Sequence, residues 1–141
     1  SKLLQAENFA AKSTKTYKGF SGAGFIEISK TVNRVVHFKV KVNKEGLYSI
    51  DFRYANGNGP INTENKCAIR TLLVDKKPIN AVVFPQRGKE EWSNWGFSNS
   101  LSVALTKGTH DISISLENTN ENMNGDINQA MIDCLRIQLL K

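Results

Sequence analysis

The sequence predicts an all-β chain folded as a two-sheet antiparallel β-sandwich, and three observations carry that expectation. Apolar and polar residues alternate with a period of two through most apolar runs, as strands with one buried and one wet face require. No stretch holds apolar residues at the three-and-four spacing of an amphipathic helix. Glycine-bearing turns punctuate neighbouring runs.

The strands can be taken in chain order. "GFIEI" (24–28) opens the series. In "RVVHFKVKV" (34–42), Val36, Phe38, Val40 and Val42 share one face, and Val35, His37, Lys39 and Lys41 share the other. The turn Asn43-Lys44-Glu45-Gly46 leads into "LYSIDFRYA" (47–55), with Tyr48, Ile50, Phe52 and Tyr54 facing in. "CAIRTLLVD" (67–75) and "INAVVF" (79–84) follow. "WGFSNSLSVAL" (95–105) places Trp95 in register with Phe97, Leu101 and Val103, which assigns Trp95 to the core. After Thr106-Lys107-Gly108, "HDISISLEN" (110–118) turns Ile112, Ile114 and Leu116 inward, and "MIDCLRIQLL" (131–140) closes the chain. Eight or nine strands joined by polar loops suit a sandwich, with linker-like material only at frayed ends.

With 141 residues the chain suits one domain spanning 1–141, large enough to bury an apolar core without metal or disulfide. No run approaches the roughly 18 apolar residues of a membrane span. Ser1 is not followed by a charged and then apolar leader, so a secretion signal is expected to be removed or to lie outside this segment. The net charge of +6 comes from scattered lysines without a basic run, which describes a solvated surface and no nucleic-acid patch. Cys67 and Cys134 fit no metal spacing, leaving two buried thiols or one bridge.

Catalytic signatures are weak. His37 and His110 read as lone surface histidines, without a neighbouring Ser, Cys or metal-ligand spacing. Glu90 and Glu91 are adjacent, whereas a glycosidase needs carboxyls facing each other across a bond, so they read as a charged loop tip.

The aromatic and amide residues say more. Trp92 lies before the strand register, in a Gly-, Glu- and Ser-rich loop. It is either a platform on which a sugar ring stacks or a cap on the edge of the core. Amides gather in three loops: Asn56, Asn58 and Asn62; Asn94 and Asn99; and Asn118, Asn120, Asn122, Asn124, Asn128 and Gln129 in "ENTNENMNGDINQ". Each amide offers both a donor and an acceptor, as vicinal hydroxyls demand, although any single Asn is also a good turn residue. Loops at one end of a sandwich can converge, so the set is expected to form one patch beside the aromatic.

Together, "QAENF", "GFSGAGFIEI", "VVHFKVKVNKEGLYSIDFRYANG", "EWSNWGFSNSLSVALTKGTHDISISL" and "MIDCLRIQL" resemble family 35 carbohydrate-binding modules, with family 6 as close kin. The resemblance spans nearly the whole chain. It implies a jelly-roll sandwich without catalysis, usually joined to a secreted, polysaccharide-degrading catalytic domain. The expected partners are therefore a polysaccharide or oligosaccharide and a covalently linked enzyme, with no nucleic acid, no membrane and a monomeric state. The resemblance also implies a structural Ca²⁺ tying the first strand to the last, at positions that match Gln5, Glu7 and Asp133. Gln5 departs from the usual carboxylate but keeps a hard oxygen donor, and backbone oxygens between Lys18 and Gly24 would complete the shell. Independently, Asp133 in an apolar strand demands a cation or an Arg partner.

Ligand positions implied by the resemblance are Asn56, Trp92 and the loop before Asp133, with Tyr17 or Phe20 facing the indole. Met131 stands where the family often has Asn, which shifts hydrogen bonding to Asn128, Gln129 or another loop residue. Asp126 is a candidate for a second calcium. Arg87 and the positive net charge make uronic acids plausible ligands beside galactose-type sugars. The alternative is a structural or protein-interaction sandwich that has lost the sugar site.

Overall fold

The protein is described by a computed structural model over residues 1–59, 66–122 and 125–141. Its strands are β1 (Lys2–Gln5), β2 (Ile26–Ile28), β3 (Val35–Val42), β4 (Gly46–Ala55), β5 (Ala68–Val74), β6 (Lys77–Phe84), β7 (Gly96–Phe97), β8 (Leu101–Leu105), β9 (Gly108–Ser115) and β10 (Ala130–Leu139), with a 3-10 turn at Ala6–Asn8. They form two antiparallel sheets. In one, β10 and β4 lie side by side; β1 and β2 pair with the outer edge of β10, and β7 and β8 with that of β4. The other has the order β3-β9-β5-β6.

The period-two reading predicts the inner faces. Val36, Phe38, Val40, Val42, Tyr48, Ile50, Phe52, Tyr54, Ile112 and Ile114 are all buried in one cluster between the sheets. Phe52 of β4 meets Phe38 of β3 at 5.7 Å and Phe84 of β6 at 6.1 Å between ring centroids, so aromatic contacts cross the interior.

Four expectations need correction. The N-terminus is not frayed: Leu4 of β1 is buried, and β1 pairs with β10. The run 95–105 is two strands, because Ser98 interrupts it by donating its N–H to the Phe52 carbonyl and accepting the Phe52 N–H on Oγ. The Trp95 register is therefore lost: Phe97 is exposed beneath the Arg136 guanidinium, and Trp95 is half-buried outside the main core. Of the two states left open for the cysteines, Cys67 and Cys134 are separate buried thiols, and burial followed by the Asp133 charge pushes Cys134 up to about 11, keeping it neutral.

The fourth correction concerns His110, which is buried and not a lone surface histidine. Its Nδ1 lies 2.7 Å from an Asp75 oxygen and its Nε2 lies 2.7 Å from the Thr106 carbonyl. Two acceptors hold a ring with two N–H groups, so the imidazolium is favoured: the Asp75 contact first and the Thr106 carbonyl second raise the His110 pKa. His37 is exposed on β3, as the alternation requires, and its Nδ1 is 3.0 Å from Asp111.

Candidate functional site

At one end of the sandwich Phe25, Ala55 and Met131 form a small second apolar cluster, against which Tyr17, Phe20, Trp92 and Trp95 are packed half-buried. Tyr17 stacks on Trp92 with ring centroids 5.7 Å apart and planes 10° from parallel. Tyr17 also stacks on Phe25, while Phe20 and Trp95 meet Phe25 at steeper angles. Trp92 rests on Gly57, where an added Cβ would come within 2.8 Å of three indole atoms. The sequence explains this seat. The Arg87 N–H bonds the Asn56 carbonyl, the Glu90 N–H bonds the Gly57 carbonyl, and the loop before Trp92 is thereby laid along the end of β4.

The loop carrying Tyr17 is clipped to the tryptophan loop: the Lys18 N–H donates to Ser93 Oγ at 2.9 Å, and Trp95 Nε1 donates to the Lys18 carbonyl at 2.6 Å. Tyr17, Glu90, Glu91, Trp92, Ser93 and Asn94 line an open groove of about 480 Å³. Tyr17 and Trp92 thus come together as the sequence suggests, and Phe20 packs behind them on Phe25. Sequence reasoning missed Gly57, Ser93 and the groove-lining carboxylates. The signal for Gly57 was its place directly after a strand end that faces an aromatic loop.

Of the described amides Asn94 alone lines this groove. Asn56 is fully buried; its amide donates to the Lys66 and Phe84 carbonyls, and its oxygen accepts from the Asn58 N–H and Asn58 Nδ2. Asn128 is buried and satisfied by Ile69, Arg70 and the Asn120 carbonyl. Gln129 donates to Glu27. Asn118, Asn120, Asn122 and Asn128 instead border a separate pocket of about 120 Å³ with Lys30 and Arg34. Behind it Arg70 is wholly buried and bonds the Ser29 and Asn128 carbonyls; burial first and the Arg34 charge second lower its pKa to about 10, still well above neutrality. Asn62 and Asn124 lie outside the described residues. Arg87 also stays out of the groove lining: its Nε and Nη2 bond the Asn94 and Trp95 carbonyls and the Asn94 amide oxygen, and Asn94 Nδ2 donates back to the Arg87 carbonyl.

The termini meet beside this cluster. A β-bulge in β10 between Ile132 and Cys134 puts Asp133 out of the regular pairing with β4. Its fully buried carboxylate accepts Arg53 Nη1 at 2.7 Å, the Ser21 N–H at 3.0 Å and Ser21 Oγ at 2.8 Å. Arg53 also donates to the Gly19 carbonyl, so it joins β4, β10 and the Tyr17 loop. Of the two partners the sequence allowed, Asp133 has the arginine.

Gln5 Nε2 donates to Ser21 Oγ at 3.1 Å, and Glu7 Oε2 accepts the Ala23 and Gly24 N–H groups. Glu7 Oε1 is buried and lacks a hydrogen-bond partner. A Cβ at Gly22 would lie 2.8 Å from both Gln5 Oε1 and Glu7 Oε2, so the glycine leaves room for a cradle of oxygens. An orphaned buried oxygen, on a carboxylate whose other oxygen shares the Gly22 space with the Gln5 amide oxygen, fits a hard cation. No group of three or more His, Cys, Asp or Glu side chains suited to a metal occurs among the described residues, Asp126 included.

The two antiparallel sheets, with an aromatic groove between the loops at one end, define a jelly-roll β-sandwich. More narrowly, the chain has the fold of family 35 carbohydrate-binding modules. A family 35 module from Paenibacillus barcinonensis superposes with a TM-score of 0.74 at 16% identity, covering 99% of this chain and all of that one. Xyl-CBM35, solved in complex with a disaccharide containing glucuronic acid, gives 0.68 at 21% identity, covering 98% of this chain and 93% of that one. A cycloisomaltooligosaccharide glucanotransferase of Niallia circulans is 32% identical over 119 residues, which are 82% of this chain but 12% of the relative. The chain thus spans about an eighth of that enzyme's length. No protein-family model matches the sequence. No helix among the described residues is long and apolar enough to cross a membrane.

Proposed function

We propose that this chain is a non-catalytic carbohydrate-binding module that holds an appended, extracellular glycan-processing enzyme on its polysaccharide. The observation that carries this reading is the Tyr17–Trp92 stack, seated on Gly57 and opening into a groove at the loop end of a family 35 fold. Aromatic faces stack on the C–H faces of a sugar, while Ser93, Asn94, Glu90 and Glu91 supply hydrogen-bonding groups for hydroxyls. Asn56, Asn128 and Arg87 shape the loops instead of touching ligand. Affinity for an isolated sugar is modest, and tethering to the enzyme makes up for it through effective concentration.

Because one relative is a cycloisomaltooligosaccharide glucanotransferase, isomaltooligosaccharides are the first ligands to try. Calorimetric titration across a set of soluble glycans is expected to find a ligand, with Trp92→Ala weakening it by about fivefold or more, since an aromatic contact is worth about 1 kcal/mol or more. Retention of full affinity by Trp92→Ala would overturn the assignment.

A structural Ca²⁺ is part of the proposal. Glu7 Oε1, Gln5 Oε1 and backbone oxygens of the 19–24 loop would hold it, pinning β1 to that loop. What motivates it is the orphaned Glu7 oxygen. Ca²⁺ should raise the melting temperature over that in chelator, and Glu7→Gln should remove the difference. Equal melting in both media would discard the ion.

One observation favours the rival reading of a sandwich without a sugar site. Met131 is fully buried beneath the aromatic cluster, so no amide projects from that position. Binding to no glycan at all would select it.

A further inference from the structure

Resting on the sugar-site reading above, we propose that the Tyr17–Trp92 groove sorts sugars by charge: Glu90 and Glu91 make it a site for neutral or amino sugars and set it against carboxylated ones. Among the described residues the lining contains two carboxylates and no Lys or Arg. Lys18 and Lys89 adjoin lining residues in sequence but are not in the described lining, and Arg87 is spent on the Asn94 and Trp95 carbonyls and lies near Tyr54. Lys89 packs its stem against Gly59.

The acidic wall is held in place by the loop. Glu91 folds back over Gly88, where the glycine's φ of +121 and missing side chain leave the space that its carboxylate occupies. Its N–H is tied to the Gly88 carbonyl. Glu90 sits at a φ of +62, uncommon for a residue with a side chain, and its N–H is tied to the Gly57 carbonyl. Both loop glycines and both glutamates therefore belong to one arrangement with the Trp92 seat.

The net charge of +6 points the other way, and distance decides between them. No lysine is among the described lining residues, so the two carboxylates are the lining's own charges, and at physiological salt, where charges beyond about 8 Å are largely screened, the closest charges weigh most. Two such charges about 7 Å from a ligand carboxylate, in water-like dielectric and screened by physiological salt, disfavour it roughly two- to threefold.

The test compares end groups that differ only at C6 or C2: glucose, glucuronate and glucosamine, each with Ca²⁺ and with chelator. The expected order is glucosamine, then glucose, then glucuronate, with the glucose-to-glucuronate ratio about two to three at physiological salt and falling toward one as salt rises further. Glu90→Gln with Glu91→Gln should bring that ratio near one. An unchanged ratio in the double variant, or a glucuronate preference in either medium, overturns the proposal. A second measurement needs no sugar. The Trp92 fluorescence, isolated as the difference between wild type and Trp92→Phe, should be quenched more readily by caesium than by iodide, and the double variant should reverse or erase that bias. Equal quenching by both ions in wild type also overturns it. If no glycan binds yet the caesium bias is present, the charge inference stands and the sugar-site reading falls; Trp92→Ala with undiminished sugar affinity sinks that reading alone.

Discussion

Replacing Asp133 by Ala gives a sharp test of what holds the termini to the binding end. The carboxylate is wholly buried, and losing it leaves the Arg53 guanidinium, the Ser21 N–H and Ser21 Oγ without their acceptor. Removing one member of a buried ion pair costs about 3–5 kcal/mol. Arg53 keeps 27% side-chain exposure and regains water, which argues for the lower end, about 3 kcal/mol. In a domain of this size that is a fall in melting temperature of about 10 °C, read by far-ultraviolet circular dichroism. Arg53→Met should also destabilise, and the double variant should lose less than the sum, because each single change strands the other partner. Melting of Asp133→Ala within about 2 °C of wild type, or strict additivity, would refute the pairing. So would a penalty present with Ca²⁺ and absent with chelator, which would make the ion, not Arg53, the partner that matters.

Three further outcomes follow from other contacts. His110, raised by Asp75 and the Thr106 carbonyl, contributes stability that is whole below about pH 6.5 and is lost as pH rises through its folded pKa. Asp75, lowered first by the His110 contact and then by the Asp111 N–H, contributes stability above about pH 4 that is lost as pH falls through its own folded pKa. Denaturant melts should therefore decline on both sides of that window, and His110→Gln should flatten the alkaline limb. Asn56→Ala strands two carbonyls and the Asn58 amide in a buried loop and should cost about 2–3 kcal/mol in chemical denaturation, whereas a ligand-reading Asn would lose affinity alone. Gly57→Ala should displace the indole, changing the near-ultraviolet dichroism and weakening glycan binding, with an unmoved Trp92 signal counting against the seat.

The inner faces were legible in the sequence because alternation reports burial directly. Tyr48, Ile50, Phe52 and Tyr54 had to point the same way once β4 was extended, and they do. What was illegible had a common cause, the irregular backbone. Ser98 breaks the strand that would have carried Trp95 inward, and the bulge at Asp133 interrupts the alternation of β10, leaving Ile132, Asp133 and Cys134 all buried. β1 is too short for periodicity to show, and its pairing depends on β10 far along the chain. The aromatic half of the site could be read, since an indole outside any strand register needs a reason. The amide half could not, because Asn serves turns and ligands with the same chemistry and only burial tells them apart.

That distinction explains why the strand at Arg53 and Tyr54 ends in so many amides. A loop that must present flat rings to water cannot be stabilised by those rings alone, since they are half-exposed and give little enclosed apolar area. Asn56 supplies the missing rigidity from beneath: one amide fastens the end of β6, the start of β5 and the Asn58 turn, and the backbone it fixes seats the tryptophan loop through Arg87 and Glu90. Arg53 does the same for the opposite wall, holding Gly19 two residues from Tyr17 while neutralising Asp133. The buried polar groups thus position the aromatic pair, and the pair with its flanking carboxylates is left to meet the ligand. If so, changes at Asn56 and Arg53 should lower stability and affinity together, changes at Trp92 should cost more affinity than stability, and changes at Glu90 and Glu91 should shift the choice among sugars more than stability.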